Sequence, residues 1–404
     1  MVTRSLFNST ARRNWAQTVA HAETLVQPDK PDPNHKDIRN LAQNHLAHLT
    51  QNLRHLVESE HPMLTTMGQY YFEPNAGKHF RPLVVLLMSL ATSLAPKQVR
   101  GNAAASGPPL PHPRESPAAD QTYRIGEADS AGCTILPSQR RLSEIVELMH
   151  TATLLHDDVV DEAAMRRQKT CAHLQFGNKM AILVGDFLIA RACCALTRLR
   201  HNEVTELLAT VISDLTEGEV MQLKNSEQEE VVDRRLDGPT PATFNYYLQK
   251  SYLKTAALIA KSCRAAALLG GCPPEVADQA YLYGKNLGLA FQLIDDMLDF
   301  TVTEADMGKP VGADLKLGLA TGPVLYAWQE YPTILGPLIR RKFSQPGDTQ
   351  LAWDYIHRSR GLSQTYELAR SHCDAAVAAL MHLPESPARQ ALVDLTTKVL
   401  DRKK

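Results

Sequence analysis

The sequence lacks an excess of either charge. Its 404 residues carry 43 Lys and Arg against 44 Asp and Glu, a formal net charge of −1. A nucleic-acid binder usually shows a basic surplus, so that partner class is excluded. Long apolar runs are also missing. The stretch from Leu83 to Ala95 is broken by Ser89, Thr92 and Ser93 and falls short of the roughly 18–20 residues of a membrane-spanning helix. Cysteine is sparse and unpatterned, with 7 scattered residues, no CxxC pair and no Cys/His cluster at zinc spacing. This fits thiols used as small apolar residues in a reducing compartment and not a disulfide framework. No alternating apolar–polar run bounded by hairpin turns occurs, and no repeat recurs at a solenoid period. What remains, 44% hydrophobic and 22% charged residues, is the composition of an ordinary folded, soluble protein.

Two segments stand apart from that body. Met1 to Ala22 holds Arg4, Arg12 and Arg13, several Ser and Thr, and no acid before Glu23. This is the bias of a mitochondrial targeting segment, and it has no apolar core of a secretory signal. Gln27 to Pro33 follows as an extended joint, so residues 1–33 read as a flexible leader and 34–404 as one domain. Gly101 to Ser138 contains Pro108, Pro109, Pro111, Pro113, Pro117 and Pro137 and few large apolar residues. Such a segment buries too little surface to offset its ordering entropy, and it reads as a disordered insert within the domain. Asn225 to Ala242 reads as a second loop. Elsewhere the helical period dominates: Leu142, Ile145, Val146, Met149 and Thr153 fall on one face, as do Leu287, Ala290, Phe291, Ile294 and Leu298. Ala181–Leu199, Leu207–Leu223 and Tyr246–Leu269 are long and rich in Ala and Leu. The expected class is all-α, a single large bundle.

The chemistry lies in one pattern that occurs twice. LLHDDVVDE holds Asp157, Asp158 and Asp161, and QLIDDMLDF holds Asp295, Asp296 and Asp299. On a helix, residues at i and i+4 share a face, so each set concentrates negative charge at the end of an apolar stripe. Unneutralised, that arrangement is unfavourable. A hard cation resolves it. Mg²⁺ prefers carboxylate oxygens, keeps several waters and completes its shell with substrate phosphates. EF-hand Ca²⁺ is excluded, since its loop spacing and central Gly are absent. Basic groups point to the same ligand. Lys78 and Arg81 lie at i, i+3, Arg166 and Arg167 follow the first acidic motif, Lys254-Thr255 sits in a helix, and Lys309 follows the second motif. Arg suits bidentate phosphate contact and Lys serves as a point charge. Together they imply two diphosphates, one bound through metal and one directly.

At these residues the sequence resembles the trans-isoprenyl diphosphate synthases. GKHFRP, HTATLLHDDVVDEAAMRR, VGDFLIARA, YLKT, FQLIDDMLDF and GKPVGADL occur in that family's order, from about Asn52 to the C-terminus apart from the insert. The mix looks most like the mitochondrial long-chain polyprenyl group of the ubiquinone pathway, including the fungal hexaprenyl type. The resemblance implies an all-α fold around a deep central cavity, a homodimer or heteromer, and about three Mg²⁺ ions per site. It implies that Asp157, Asp158, Asp161, Asp295, Asp296 and Asp299 hold the metal. Arg166, Lys254, Thr255, Gln292 and Lys309 would hold the allylic diphosphate, farnesyl or geranylgeranyl. Lys78, Arg81, His150 and Arg167 would bind isopentenyl diphosphate. The product would be about C30–C50, since Ala152 and Thr153, about one turn before Asp157, are too small to close the cavity. Ala152→Phe would then shorten it. An enzyme with so apolar a product works against a membrane surface.

The chain departs from the family at Arg166-Arg167-Gln168-Lys169-Thr170, where the usual RRGxP has a Gly and a Pro. Leu319 likewise stands where many members have Lys. Two rival readings remain at this stage. A class I terpene cyclase shares the helical fold but has one DDxxD and no need of a second diphosphate site. A non-catalytic subunit of a heteromeric synthase typically loses acidic residues that this chain keeps.

Overall fold

The computed structural model describes residues 48–72, 79–98, 134–166, 169–227, 238–301 and 312–402. The expected leader, most of the Pro-rich insert, and Lys78, Arg167 and Lys309 lie outside the described residues. The fold is helical, as the periodicity predicts. In chain order the helices are α1 (48–56), α2 (Pro62–Gly68), α3 (Phe80–Ser93), α4 (Pro137–Val160), α5 (Ala172–Phe176), α6 (Asn178–Thr197), α7 (Asn202–Glu227) and α8 (Pro241–Ser251). They continue as α9 (Ala257–Leu269), α10 (Pro274–Thr301), α11 (Ala313–Lys316), α12 (Gly322–Glu330), α13 (Pro332–Arg340), α14 (Asp348–Arg358), α15 (Gly361–Leu380) and α16 (Pro387–Leu400). One hydrophobic cluster runs through them from Leu49 to Val399, so the described residues form a single core.

α3 runs through the middle and is buried from Leu83 to Thr92, which explains why its sequence shows no polar face. α4 and α10, which carry the acidic motifs, pack against α6 and α9 respectively. The contact of α10 with α9 and the turn before it, which ends at Ala256, is unusually close. A Cβ at Gly288 would lie 2.5 Å from the Ala256 Cα, and one at Gly284 would lie 2.7 Å from the Ala260 Cα. Any side chain there must push the helices apart, and with them the second acidic motif.

Five points differ from the sequence reading. The insert does not extend to Ser138. Ile135 is fully buried and Pro137 opens α4, a position where proline's missing N–H costs nothing. The Gln139 side chain caps that turn by accepting from the Leu136 N–H at 2.9 Å. The second loop is shorter than Asn225–Ala242, because α7 continues to Glu227 and α8 begins at Pro241 under a Thr240 cap. Tyr246–Leu269 is not one regular helix. A π turn, Tyr252–Ala256, separates α8 from α9. A two-stranded ribbon is also present, β1 (Met165–Arg166) and β2 (Lys169–Thr170), antiparallel with Arg166 opposite Lys169. It is too short to show an alternating pattern. Finally, α6 is long and apolar enough to cross a membrane by length and composition. It carries Asp186 and Arg191, and one side of it packs along α4 while Ile182 and Leu183 stay exposed.

Candidate active site

The two acidic motifs end α4 and α10. Asp161 is the last residue of the first turn-out, with its N–H bonded to the Asp157 carbonyl at 2.8 Å. Glu162 follows at φ 51°, and His79, just before α3, sits at φ 39°. Non-glycine residues rarely adopt this left-handed conformation, and such strain clusters at functional sites.

The carboxylates divide into two kinds. Asp158 is buried and saturated by protein donors. Arg166 donates to its Oδ1 through Nε at 2.8 Å and Nη2 at 2.5 Å, and the Tyr71 hydroxyl donates to Oδ2 at 2.9 Å. Asp296 is similarly held, by Tyr247 at 2.5 Å and by the Gln292 amide at 2.7 Å. Thr255 in the π turn donates to Gln292 Oε1 at 2.6 Å, so Thr255, Gln292 and Asp296 form one chain. Asp299 accepts the N–H groups of Ala313 and Asp314, both at 3.1 Å, and so caps α11. Asp157 and Asp161, in contrast, have no hydrogen-bond donor on their carboxylates among the described residues. Asp295 is half exposed and pairs with Arg402 at 3.0 Å.

Electrostatics follow from this division. Burial raises the Asp157 pKa to about 7, with Glu219 and Asp161 adding and Lys254 and Arg166 opposing. Burial also raises Asp161, with Glu219 in the same direction and Lys254 opposing. Asp296 is pushed up to about 6 by burial, against the bonds from Tyr247 and Gln292. Asp314 is held well above the carboxylate range by burial and by Asp296 and Asp299. Buried Lys250 is lowered, chiefly by burial, although Asp296 and Asp314 favour its charge. Among the described residues, burial is thus the main force that disfavours charge on these carboxylates, and Lys254 and Arg166 only partly oppose it.

The basic groups are equally placed by tertiary structure. Lys254 reaches Glu219 at 2.6 Å. Its stem crosses α7 over Gly218, where a Cβ would lie 2.7 Å from the Lys254 Cγ. The π turn that carries Lys254 and Thr255 is the kind of irregularity found at functional sites. Arg81 donates to His150 Nε2 at 2.8 Å, which joins α3 to α4 and fixes Nδ1 as the protonated nitrogen of a neutral ring. Phe80 stacks on Phe291 of α10 at 5.4 Å, and Arg402 lies over the other side of this pair, 4.2 Å from the Phe291 ring.

The donor set suits a hard cation. No three His, Cys, Asp or Glu side chains among the described residues gather closely enough to hold an ion unaided. Mg²⁺ does not require such a cage. It binds through one or two carboxylates, with waters and phosphate oxygens completing the octahedron. Asp157, Asp161 and Asp295 are the acids most open for this role, while Asp158 and Asp299 already serve the fold. Ala152 is fully buried, and Thr153, one helical turn before Asp157, presents partly open surface. Of the two residues expected at the cavity floor, Thr153 is thus the one with exposed surface.

A family model described as polyprenyl synthetase matches residues 61–356, which include both acidic motifs. The chain belongs to that family. It is 51% identical over 373 residues to a probable mitochondrial hexaprenyl pyrophosphate synthase of Neurospora crassa, covering 90% of this chain and 81% of the relative. It is 41% identical to the mitochondrial hexaprenyl pyrophosphate synthase of Saccharomyces cerevisiae, covering 88% of each chain. Among solved structures it is similar to a polyprenyl synthase from Caulobacter crescentus complexed with calcium and isoprenyl diphosphate. The TM-score is 0.71 at 29% identity, over 93% of this chain and 100% of the other. This polyprenyl synthetase is thus a mitochondrial prenyltransferase of the long-chain trans type, and the family uses isoprenyl diphosphates and a divalent metal.

Tyr71, Tyr247, Lys250, Glu219, Asp314 and Arg402 also belong to the site, and none was singled out from the sequence. Each sits in an ordinary helical or terminal context, and only tertiary packing brings it to an acidic motif.

Proposed function

We propose that this protein condenses isopentenyl diphosphate onto farnesyl or geranylgeranyl diphosphate, repeatedly and with Mg²⁺, to give an all-trans product of about C30–C50 for the ubiquinone side chain. The observation that carries this reading is the pair of half-buried carboxylates Asp157 and Asp161, which accept no hydrogen bond among the described residues and lie within electrostatic reach of Lys254 and Arg166. Mg²⁺ bound to these acids would neutralise the allylic diphosphate and stabilise the charge that develops as it leaves.

The chain's own residues supply the rest. Lys254 leaves Glu219 to meet a diphosphate oxygen, and Thr255 and Gln292 orient the same group. Arg166 contributes a further point of charge. Arg81, steadied by His150, binds isopentenyl diphosphate together with Lys78 and Arg167. The allylic C1–O bond breaks, and the isopentenyl double bond attacks C1. The adjacent C–H proton then passes to the released diphosphate, which restores an allylic product. Apolar walls such as Phe80 and Phe291 keep water from the cation. No protein nucleophile takes part.

Mass spectrometry of the product made by the purified protein alone from isopentenyl and farnesyl diphosphates tests this. The expected product is a C30–C50 polyprenyl diphosphate formed only with Mg²⁺, on the order of six to ten isoprene units. A cyclic hydrocarbon would favour a cyclase, and no product without a second subunit would favour the heteromeric reading.

We also propose a homodimer. Ile182 and Leu183 on α6, Leu174 beside it, and Val220 and Leu223 on α7 are exposed apolar residues on neighbouring helices. Exposed apolar side chains on adjacent helices support an interface there. Sedimentation equilibrium is expected to give twice the chain mass, and Leu183→Glu to shift it to the monomer. A monomeric wild type rules the dimer out.

A further inference from the structure

Tyr70 and Tyr71 follow α2 and have no role in the chemistry above. Tyr71 is nevertheless buried, and its hydroxyl bonds in two directions. It donates to Asp158 Oδ2 at 2.9 Å and accepts the Ala172 N–H at 3.1 Å. It therefore ties the first acidic motif to the start of α5, just beyond β2. Tyr70 grips the strand itself. Its hydroxyl donates to the Thr170 carbonyl at 2.8 Å, and the Lys169 ammonium lies 5.7 Å from its ring centre. Its ring meets Tyr71 edge-on at 5.2 Å and Phe176 of α5 at 5.4 Å. Two adjacent residues thus hold the ribbon at one end and its anchoring carboxylate at the other.

The arrangement matters because of what Asp158 does. A buried carboxylate needs donors on both oxygens, or the unsatisfied one costs most of its desolvation penalty. Arg166 satisfies Oδ1 alone, through Nε and Nη2. Tyr71 satisfies Oδ2. Its phenol is held far above its ordinary range by burial and by Asp158, so it remains a donor at any working pH. With both oxygens fixed, Arg166 is clamped in one orientation, and its Nη1 edge takes no part in that grip. Its bonds to Asp158 hold Arg166 at the first acidic motif.

The departure from RRGxP adds a second reason. Thr170 stands where the family pattern has Pro, so β2 lacks the fixed φ of a proline ring. Gln168 stands where it has Gly. Tyr70 restrains the Thr170 carbonyl from outside the ribbon, which offsets the lost rigidity.

We propose that Tyr70 and Tyr71 are positioning residues of the reaction, acting through Asp158 and the paired strands β1 and β2 to aim Arg166 at the allylic diphosphate. This rests on the reaction proposed above, and its test is chosen to separate the two. In the full-length protein, Tyr71→Phe is expected to lower kcat/KM for the allylic primer by ~10-fold or more, mainly through KM. The KM for isopentenyl diphosphate should stay within about twofold. Added to Arg166→Ala, Tyr71→Phe should cost little more, because both act through one guanidinium. Tyr70→Phe should show the same selective effect at smaller size. Hydrogen exchange supplies a readout that does not need turnover: the Ala172 amide and those of the ribbon should exchange faster in Tyr71→Phe, with the rest of the chain unchanged.

Three results overturn the proposal. They are wild-type kinetics in Tyr71→Phe, equal losses for both substrates with a general fall in stability, or losses fully additive with Arg166→Ala. A wild-type protein without prenyl transfer refutes the assigned reaction instead. Exchange at Ala172 then decides the clamp alone: faster exchange supports it, and unchanged exchange removes it.

Discussion

Asp157→Asn is expected to lower kcat by at least ~10³-fold and, in the same protein, to stabilise the metal-free fold at pH 8. Both effects come from one carboxylate. Asp157 is pushed to about 7 by burial, and Glu219 and Asp161 add to the shift. The unfolded chain loses this proton near 3.8 and the folded chain near 7, so the folded state binds the extra proton between those values. The contribution to stability is therefore complete below the unfolded pKa and is lost as pH rises through about 7. Asp296, raised to about 6, has the same sign. At pH 8 the ionised Asp157 weighs against the fold by on the order of 2 kcal/mol once its partial exposure is discounted. Asn removes that burden with little change in shape.

Metal should reverse the slope in the wild type, because a bound cation favours the ionised form. Thermal melts of the two proteins between pH 5 and 8, with and without Mg²⁺, read this directly. The wild type should lose stability as pH rises without metal and regain it with Mg²⁺, while the variant should respond weakly to either. A flat metal-free profile in the wild type, or a variant that keeps turnover, would show that Asp157 is neither strained nor a ligand.

How far the site was legible in the sequence depends on how each residue signals itself. Asp157 and Asp161 announce their face because helical spacing is local and the run before them is apolar. Arg166, Lys254, Thr255 and Gln292 were legible because the family motifs name them, and the structure places Thr255 beside Gln292 and Lys254 beside Glu219. The partners were not legible. Glu219 lies in a helix of mixed charge, and only the passage of Lys254 over Gly218 makes it a neighbour. Tyr247 and Lys250 look like one face of an amphipathic helix. Arg402 lies more than a hundred residues from the acid it meets. The helical class followed from periodicity, but the π turn did not, since a single extra residue in a turn leaves the apolar pattern almost unchanged. Pro137 misled as a breaker because only context distinguishes a loop proline from one at the first turn of a helix.

The equal treatment of six acids was the coarsest part of that reading. Spacing puts Asp157 and Asp161 on one helix face but does not say what Asp158 does. The structure separates Asp157 from Asp158: among the described residues the first carboxylate has no hydrogen-bond donor, and the second is saturated by Arg166 and Tyr71. On the proposed reading, the pattern of carboxylates marks the metal site, while the hydrogen bonds distinguish the members left open from those already held by the fold.

Thr153→Phe is expected to cut the product from about C30–C50 to about C15–C20 while the first condensation stays within ~3-fold of wild type. Thr153 lies one helical turn before Asp157 on the stripe that also holds His150, and its hydroxyl folds back onto the His150 carbonyl at 2.9 Å. A growing chain is pushed away from the diphosphates with each added unit, so a bulky ring one turn beneath the carboxylates meets its tail early. The reacting carbons themselves remain untouched, which is why the first step should survive. Ala152 offers the contrast. It is fully buried in the core cluster and exposes nothing to a chain. Ala152→Phe should therefore cost about 1–3 kcal/mol of stability through overpacking, with less effect on product length among the molecules that fold. Product analysis of the two variants beside their melting curves separates a tunnel wall from a core position. Long products from Thr153→Phe, or a short product from a fully stable Ala152→Phe, would move the floor of the channel to the other face of α4.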